Sequence, residues 1–121
     1  MTNFLQETRE AITDSGHTPE QIRFIGSEDS GHQCSWDEFC TLADFKYDSG
    51  CGKVEIAPDL IFVFQDGQRL WRGEYDGSEW WEYSTVFIMP EKALPIFRLH
   101  GQWPKNLAML NKNLRRAKGA A

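Results

Sequence analysis

Apolar residues recur at two different spacings along the chain, and the changes of spacing mark its elements. Over 3–13, Phe4, Leu5, Thr8, Ala11 and Ile12 return every three or four positions, which predicts a first helix capped by Thr2. Asp14-Ser15-Gly16-His17 ends it, and Pro19 opens the next segment. The alternation in Gln21-Ile22-Arg23-Phe24-Ile25 predicts a short strand. Ser35-Trp36-Asp37-Glu38 has the form of a capping box, in which Ser35 and Glu38 each satisfy the other's backbone N–H. Its helix is expected to end near Ala43 and to bury Trp36, Phe39, Cys40 and Leu42. Positions 44–58 read as loop. Strands are predicted at 59–65, 68–75 and 78–87, separated by Asp66-Gly67 and Asp76-Gly77. Asp-Gly favours two-residue hairpin turns because both residues tolerate positive φ. Pro90 closes the sheet, 91–104 reads as irregular, and 106–117 reads as a last amphipathic helix burying Leu107, Leu110 and Leu114.

The predicted order is α-β-α-β-β-β-α. Sequential strands joined by tight turns form an antiparallel meander, here of three to four strands packed with two or three helices, so the expected class is α+β. The expectation is a single domain over 1–121 with a basic C-terminal helix or tail from about residue 106.

Two-residue turns fix cross-strand pairing, and paired residues share a face. Around Asp76-Gly77, Tyr75 is expected opposite Ser78, Glu74 opposite Glu79, Gly73 opposite Trp80, Arg72 opposite Trp81 and Trp71 opposite Glu82. Around Asp66-Gly67, Phe64 is expected opposite Arg69, Val63 opposite Leu70 and Phe62 opposite Trp71. One face then collects Phe62, Phe64, Trp71, Tyr75 and Trp80, and the other Ile61, Val63, Leu70, Arg72, Trp81 and Tyr83. Both faces would be apolar, and an aromatic face left uncovered marks a partner site. Trp80 is expected to lie over the bare backbone of Gly73, and Arg72 to stack on Trp81.

Charge and cysteine content narrow the classes. Residues 101–121 hold five cations and no acid, while the first hundred carry a net of −10. An acidic body argues against direct nucleic-acid binding. No apolar run reaches membrane-spanning length, and the N-terminus lacks the basic and apolar regions of a signal peptide. Three cysteines without a CxxC spacing argue against a disulfide framework and for a reducing cytoplasm.

Candidate chemistry is sparse. Glu74, Asp76, Glu79 and Glu82 cluster near one turn and offer an acid/base or hard-cation site, but strand-end glutamates are ordinarily solvated. His32, Cys34 and Cys40 have an unusual spacing for zinc. Cys51, between two glycines, is the most exposed candidate nucleophile, with His17, His32 or His100 as base. No phosphate loop, nucleophile elbow or dinucleotide fingerprint occurs, and no cofactor is implied.

Ser35-Trp36-Asp37-Glu38-Phe39, the segment from Ala43 to Gly50, and Glu74-Tyr75-Asp76-Gly77-Ser78-Glu79-Trp80-Trp81 together give the chain its resemblance to a group of small bacteriophage and prophage proteins. The resemblance spans roughly 20–100 and carries over no catalytic residue. It implies an accessory protein in the bacterial host cytoplasm that binds and inhibits or modifies a host protein complex, such as a restriction or CRISPR system. The expected contact surface is Trp71, Arg72, Glu74, Tyr75, Asp76, Glu79, Trp80, Trp81 and Glu82. The alternatives are a small enzyme or ligand- or metal-binding protein using the same carboxylates, and a structural protein that self-associates as a homodimer through the aromatic face.

Overall fold

The computed structural model describes residues 1–50, 52–84, 87 and 89–113. The chain forms two compact units, 1–87 and 88–121.

In the first unit, β1 (Thr2–Asn3) leads into helix α1 (Phe4–Asp14). The cap is Asn3 rather than Thr2: its side chain accepts from the Gln6 N–H at 2.9 Å. Phe4, Thr8, Ala11 and Ile12 form the buried stripe. Gly16, at φ 86°, turns the chain out, and the His17 N–H bonds back to the Ile12 carbonyl. A 3-10 turn at Pro19–Gln21 precedes β2 (Ile22–Gly26). Helix α2 (Trp36–Leu42) starts at the expected Ser35/Glu38 capping box. It buries Phe39 fully, but Leu42 is exposed and Trp36 and Cys40 are half-buried, because seven residues present only one side to the core.

The segment expected as loop contains β3 (Lys46–Tyr47), paired antiparallel with β1. Two residues per strand leave no periodicity to detect. Strands β4 (Ile61–Phe64), β5 (Arg69–Tyr75) and β6 (Ser78–Tyr83) form the expected meander, and β2 adds to its edge in the order β2-β4-β5-β6. Three helices and two antiparallel sheets among the described residues make the fold α+β.

The two hairpins differ. At Asp76-Gly77 both residues have positive φ, 52° and 83°, and the pairing runs Tyr75↔Ser78 through Leu70↔Tyr83, the expected register. At Asp66-Gly67 only Gly67 is left-handed, at φ 86°. Gly67 N–H bonds the Phe64 carbonyl and Phe64 N–H bonds the Gln68 carbonyl, each at 2.9 Å, so three residues, 65–67, form the loop. The pairs are Phe62↔Leu70 and Val63↔Arg69, one residue away from expectation.

A one-residue slip moves a whole strand to the opposite face. Phe62 and Phe64 therefore join Leu70, Arg72 and Trp81 on the inner face, together with Ile25 of β2. Phe62, Phe64 and Leu70 have no exposed surface, and Phe4, Ile12 and Phe39 pack the same core from the helices. The outer face keeps Phe24, Ile61, Val63, Arg69, Trp71, Gly73, Tyr75, Trp80 and Glu82, none of them fully buried. The expectation that both faces are apolar is thus corrected to one aromatic core face and one mixed outer face.

The second unit contains α3 (Leu107–Leu110), capped by Asn106. The Asn111 side chain accepts from the Phe97 and Arg98 N–H groups and donates to the Arg98 and Leu107 carbonyls, clasping 97–98 to the helix. Leu110 is buried as expected, whereas Leu107 is exposed; the helix ends at Leu110, with turn at 111–113 where helix was expected, and Leu114 with the rest of the expected span lies outside the described residues. Among the described residues no helix is long and apolar enough to cross a membrane.

Candidate functional site

The β5–β6 hairpin divides its own side chains by strict alternation. Leu70, Arg72, Glu74, Glu79, Trp81 and Tyr83 belong to the inner set, and Trp71, Gly73, Tyr75, Trp80 and Glu82 to the outer one. The nine residues expected to form one contact surface are therefore split.

Three of them are interior. The side chains of Arg72 and Glu79 are 3% and 1% exposed, and Trp81 is 7% exposed. Arg72 Nη2 lies 3.2 Å from Glu79 Oε1 and donates to the Tyr47 hydroxyl at 3.0 Å, while Nη1 reaches Glu7 Oε1 at 3.5 Å. The guanidinium lies over the rings of Trp81 and Phe4, at 4.8 and 5.2 Å from their centroids. The expected Arg72–Trp81 stack is thus present, within the core. Glu79 also accepts from the Glu55 and Ile56 N–H groups at 2.7 and 3.2 Å. Tyr47 donates to Glu7 at 2.6 Å; burial first, and this bond to a carboxylate second, push its hydroxyl pKa well up. Trp81 Nε1 donates to Thr8 Oγ1 at 2.9 Å.

This network is mechanical. A buried charge is tolerated when opposite charge and hydrogen bonds surround it. Here one guanidinium ties together α1, β3, both strands of the hairpin and the strap at 55–56. Glu79 is neutralised by Arg72 and accepts three hydrogen bonds in the core, which makes it a structural counter-charge. Glu74, opposite it across the hairpin, is exposed and accepts from the Gly77 N–H at 3.3 Å. The two carboxylates stand opposite each other without unrelieved repulsion because Arg72 neutralises Glu79.

The outer set behaves differently. Tyr75 is 77% exposed and Trp71 41%. Trp80 is half-buried because it covers Gly73 as expected: a Cβ placed on Gly73 would meet the Trp80 ring at 2.6 Å. The Trp80 indole N–H donates to Glu82, a second contact fixing the ring over Gly73. Three aromatic groups, two of them open and one fixed, thus share a face with Glu82, and the Glu74 and Asp76 carboxylates stand exposed near its turn end.

A constellation that the sequence reading missed is Ser15, His17 and Asp66. Ser15 Oγ is 2.9 Å from His17 Nδ1, and His17 Nε2 donates to Asp66 Oδ2 at 2.7 Å. The His17 ring stacks on Phe64, with centroids 3.8 Å apart and planes 3° from parallel. The order matches a serine–histidine–carboxylate relay, but the chemistry does not follow. Ser15 is 2% exposed, and its hydroxyl also meets the Ile12 carbonyl at 2.8 Å at the end of α1. A nucleophile must reach a carbonyl in a cleft, and this hydroxyl serves a helix terminus instead. The array fastens the end of α1 to the first hairpin loop. The Gln68 N–H first, and His17 second, hold the Asp66 carboxyl below its usual range.

The remaining candidates do not converge. His32 Nδ1 lies 2.8 Å from Ser30 Oγ, and Arg9 approaches Cys40 Sγ. Burial, with Glu38 adding to it, pushes the Cys34 thiol up, away from the reactive thiolate. Among the described residues no three His, Cys, Asp or Glu side chains gather as a metal site, and Cys51 lies outside those residues.

Compared with known proteins, the chain matches no family model, no curated protein and no solved structure.

Proposed function

We propose that this chain is a small accessory protein of phage type that works by binding a host protein, with the outer face of the four-stranded sheet as its contact surface. The observation that carries this reading is the accessibility of Trp71 and Tyr75 beside the clamped ring of Trp80. Aromatic side chains bury much area at low entropic cost and dominate interface energetics. A ring already fixed over Gly73 loses little further freedom on binding. Glu74, Asp76 and Glu82 form the polar rim and favour a basic partner through steering. The site is therefore Trp71, Glu74, Tyr75, Asp76, Trp80 and Glu82, without Arg72, Glu79 and Trp81. The phage setting and a host defence complex as target rest on the sequence resemblance alone.

The test is affinity capture from a bacterial host with wild type, Trp71→Glu and Tyr75→Ala side by side. Both side chains are exposed, so the thermal midpoint should stay within a degree or two of wild type. Retention of the captured protein should fall by about tenfold or more for each variant, the loss typical of central aromatic anchors. Equal retention by all three proteins would refute the contact surface.

A further inference from the structure

The outer face has a second feature at the end away from Tyr75. A cleft of about 440 Å³ opens beside β2, with Phe24 and Val63 on its apolar wall and Arg23, Arg69 and Glu28 around it. The irregularity between Ile22 and Phe24 falls at Arg23, which shares the cleft with Arg69. Glu28 comes from the tight loop after β2. That loop is held by Ser27 N–H to the His32 carbonyl and Gly31 N–H to the Ser27 carbonyl. Gly26, at φ 155°, permits the closure, since a Cβ there would sit 2.0 Å from the His32 carbonyl oxygen.

We propose that this cleft is a binding site for a single carboxylate carried on an apolar group, and that Glu28 is its resident competitor. Glu28 meets Arg69 through both oxygens, at 2.5 and 3.3 Å, the two-pronged geometry with which a guanidinium receives any carboxylate. The pair is about half-exposed, at 46% and 59%, and pairs of that kind contribute little. An incoming carboxylate therefore displaces Glu28 at small cost. Among the described residues the Arg23 guanidinium has no partner and adds a second donor. Phe24 and Val63 supply the wall for the apolar part.

Charge sets the class of ligand. Residues 1–87 carry six cations against seventeen carboxylates, a net of −11. Two of those six cations line this one cleft, which with Glu28 has a local charge of +1. A polyanion is repelled by the surrounding body, while one carboxylate is accepted. The inference is independent of the docking reading, because Trp71 and Tyr75 can be altered without touching the cleft.

The experiment uses the full chain labelled with 15N and 13C-methyl groups, titrated with phenylacetate, with a short apolar peptide ending in a free phenylalanine carboxylate, and with the same peptide as its C-terminal amide. The expected result is saturable shifts at Val63 and Phe24 with the two acids and none with the amide. Comparing the acids tells a free small acid from a chain terminus. Arg69→Ala and Arg23→Ala should each weaken binding by about tenfold, the share of one charge-assisted contact. Glu28→Gln should strengthen it about threefold by removing the competitor. All three side chains are on the surface, so circular dichroism should be unchanged. Equal shifts with acid and amide, or binding that survives Arg69→Ala with Arg23→Ala combined, would overturn the proposal. So would a Glu28→Gln variant that binds more weakly than wild type.

Discussion

The same dipeptide closes both hairpins of this protein and produces two different turns. Asp76 and Gly77 are both left-handed and form a two-residue loop; Asp66 is not left-handed, and Gly67 alone closes a three-residue loop. The consequence is one residue of register in β4, and that residue decides which face carries Phe62 and Phe64. The two turns also differ in what reaches them from outside. The Asp66 carboxylate accepts from Gln68 N–H at 2.8 Å and from His17 at 2.7 Å, so it is held by α1's end as well as by its own loop. Asp76 has no such tether among the described residues and takes the conformation the dipeptide prefers.

The largest expected effect tests what the second hairpin anchors. Glu74 and Glu79 face each other across it, one in water and one in the core. Glu79→Ala removes a principal counter-charge of buried Arg72 and the acceptor for two strap N–H groups. It should cost about 3–5 kcal/mol in urea unfolding, the loss expected when one partner of a buried pair is deleted. Glu74→Ala should cost less than about 0.5 kcal/mol. Similar losses for the two variants would mean that the ion cluster does not hold the fold.

A smaller effect separates the turns themselves. Gly67 and Gly77 have nearly the same φ, 86° and 83°, but a Cβ on Gly67 meets nothing within 4 Å, whereas one on Gly77 lies 2.8 Å from the Gly52 backbone nitrogen. Gly67→Ala should cost about 1 kcal/mol, the left-handed penalty alone. Gly77→Ala adds a backbone clash and should cost at least about 2 kcal/mol. Thermal midpoints of the two variants measure the difference directly; a reversed order would remove the strap from its place against the second turn.

Much of this was legible in the chain, and the failures share a cause. Alternation and caps located α1, α2 and the meander, because those signals are local. The β5–β6 register, the Trp80 ring over Gly73 and the Arg72–Trp81 stack followed from one unhindered turn. Arg72 and Glu79 belong to the expected contact surface because a strand-end glutamate is ordinarily solvated and charged side chains are rarely fully buried. Their burial depends on Glu7, Tyr47 and the N–H groups of 55–56, distant segments that no spacing links to β5. Ser15, His17 and Asp66 went unnoticed for the same reason, as they meet only after α1 and the first hairpin have packed. The cleft at Arg23 and Arg69 also forms only when β2 joins the edge of the sheet and its loop folds back.

The smallest effect reports on the Asp66 tether through acid titration. The folded-state pKa of Asp66 is depressed, chiefly by the Gln68 N–H and then by His17. A group of this kind binds its proton more weakly in the folded chain than in the unfolded one. Its contribution is therefore complete above the unfolded value near pH 4 and is lost as pH falls through the lower folded value. Asp66→Asn keeps an oxygen for the Gln68 N–H but removes the charge, so the variant should be less stable than wild type at neutral pH and converge on it in acid. His17→Phe keeps a ring against Phe64 and deletes the long-range arm of the tether, together with the bond to Ser15 Oγ inside the end of α1. If the three-residue loop depends on that arm, the His17→Phe chain should show altered amide shifts at 65–68 while those at 75–78 stay put. An unmoved first loop would place the origin of its register in Gln65-Asp66-Gly67-Gln68 itself, and the contrast between the two hairpins would then be a local one.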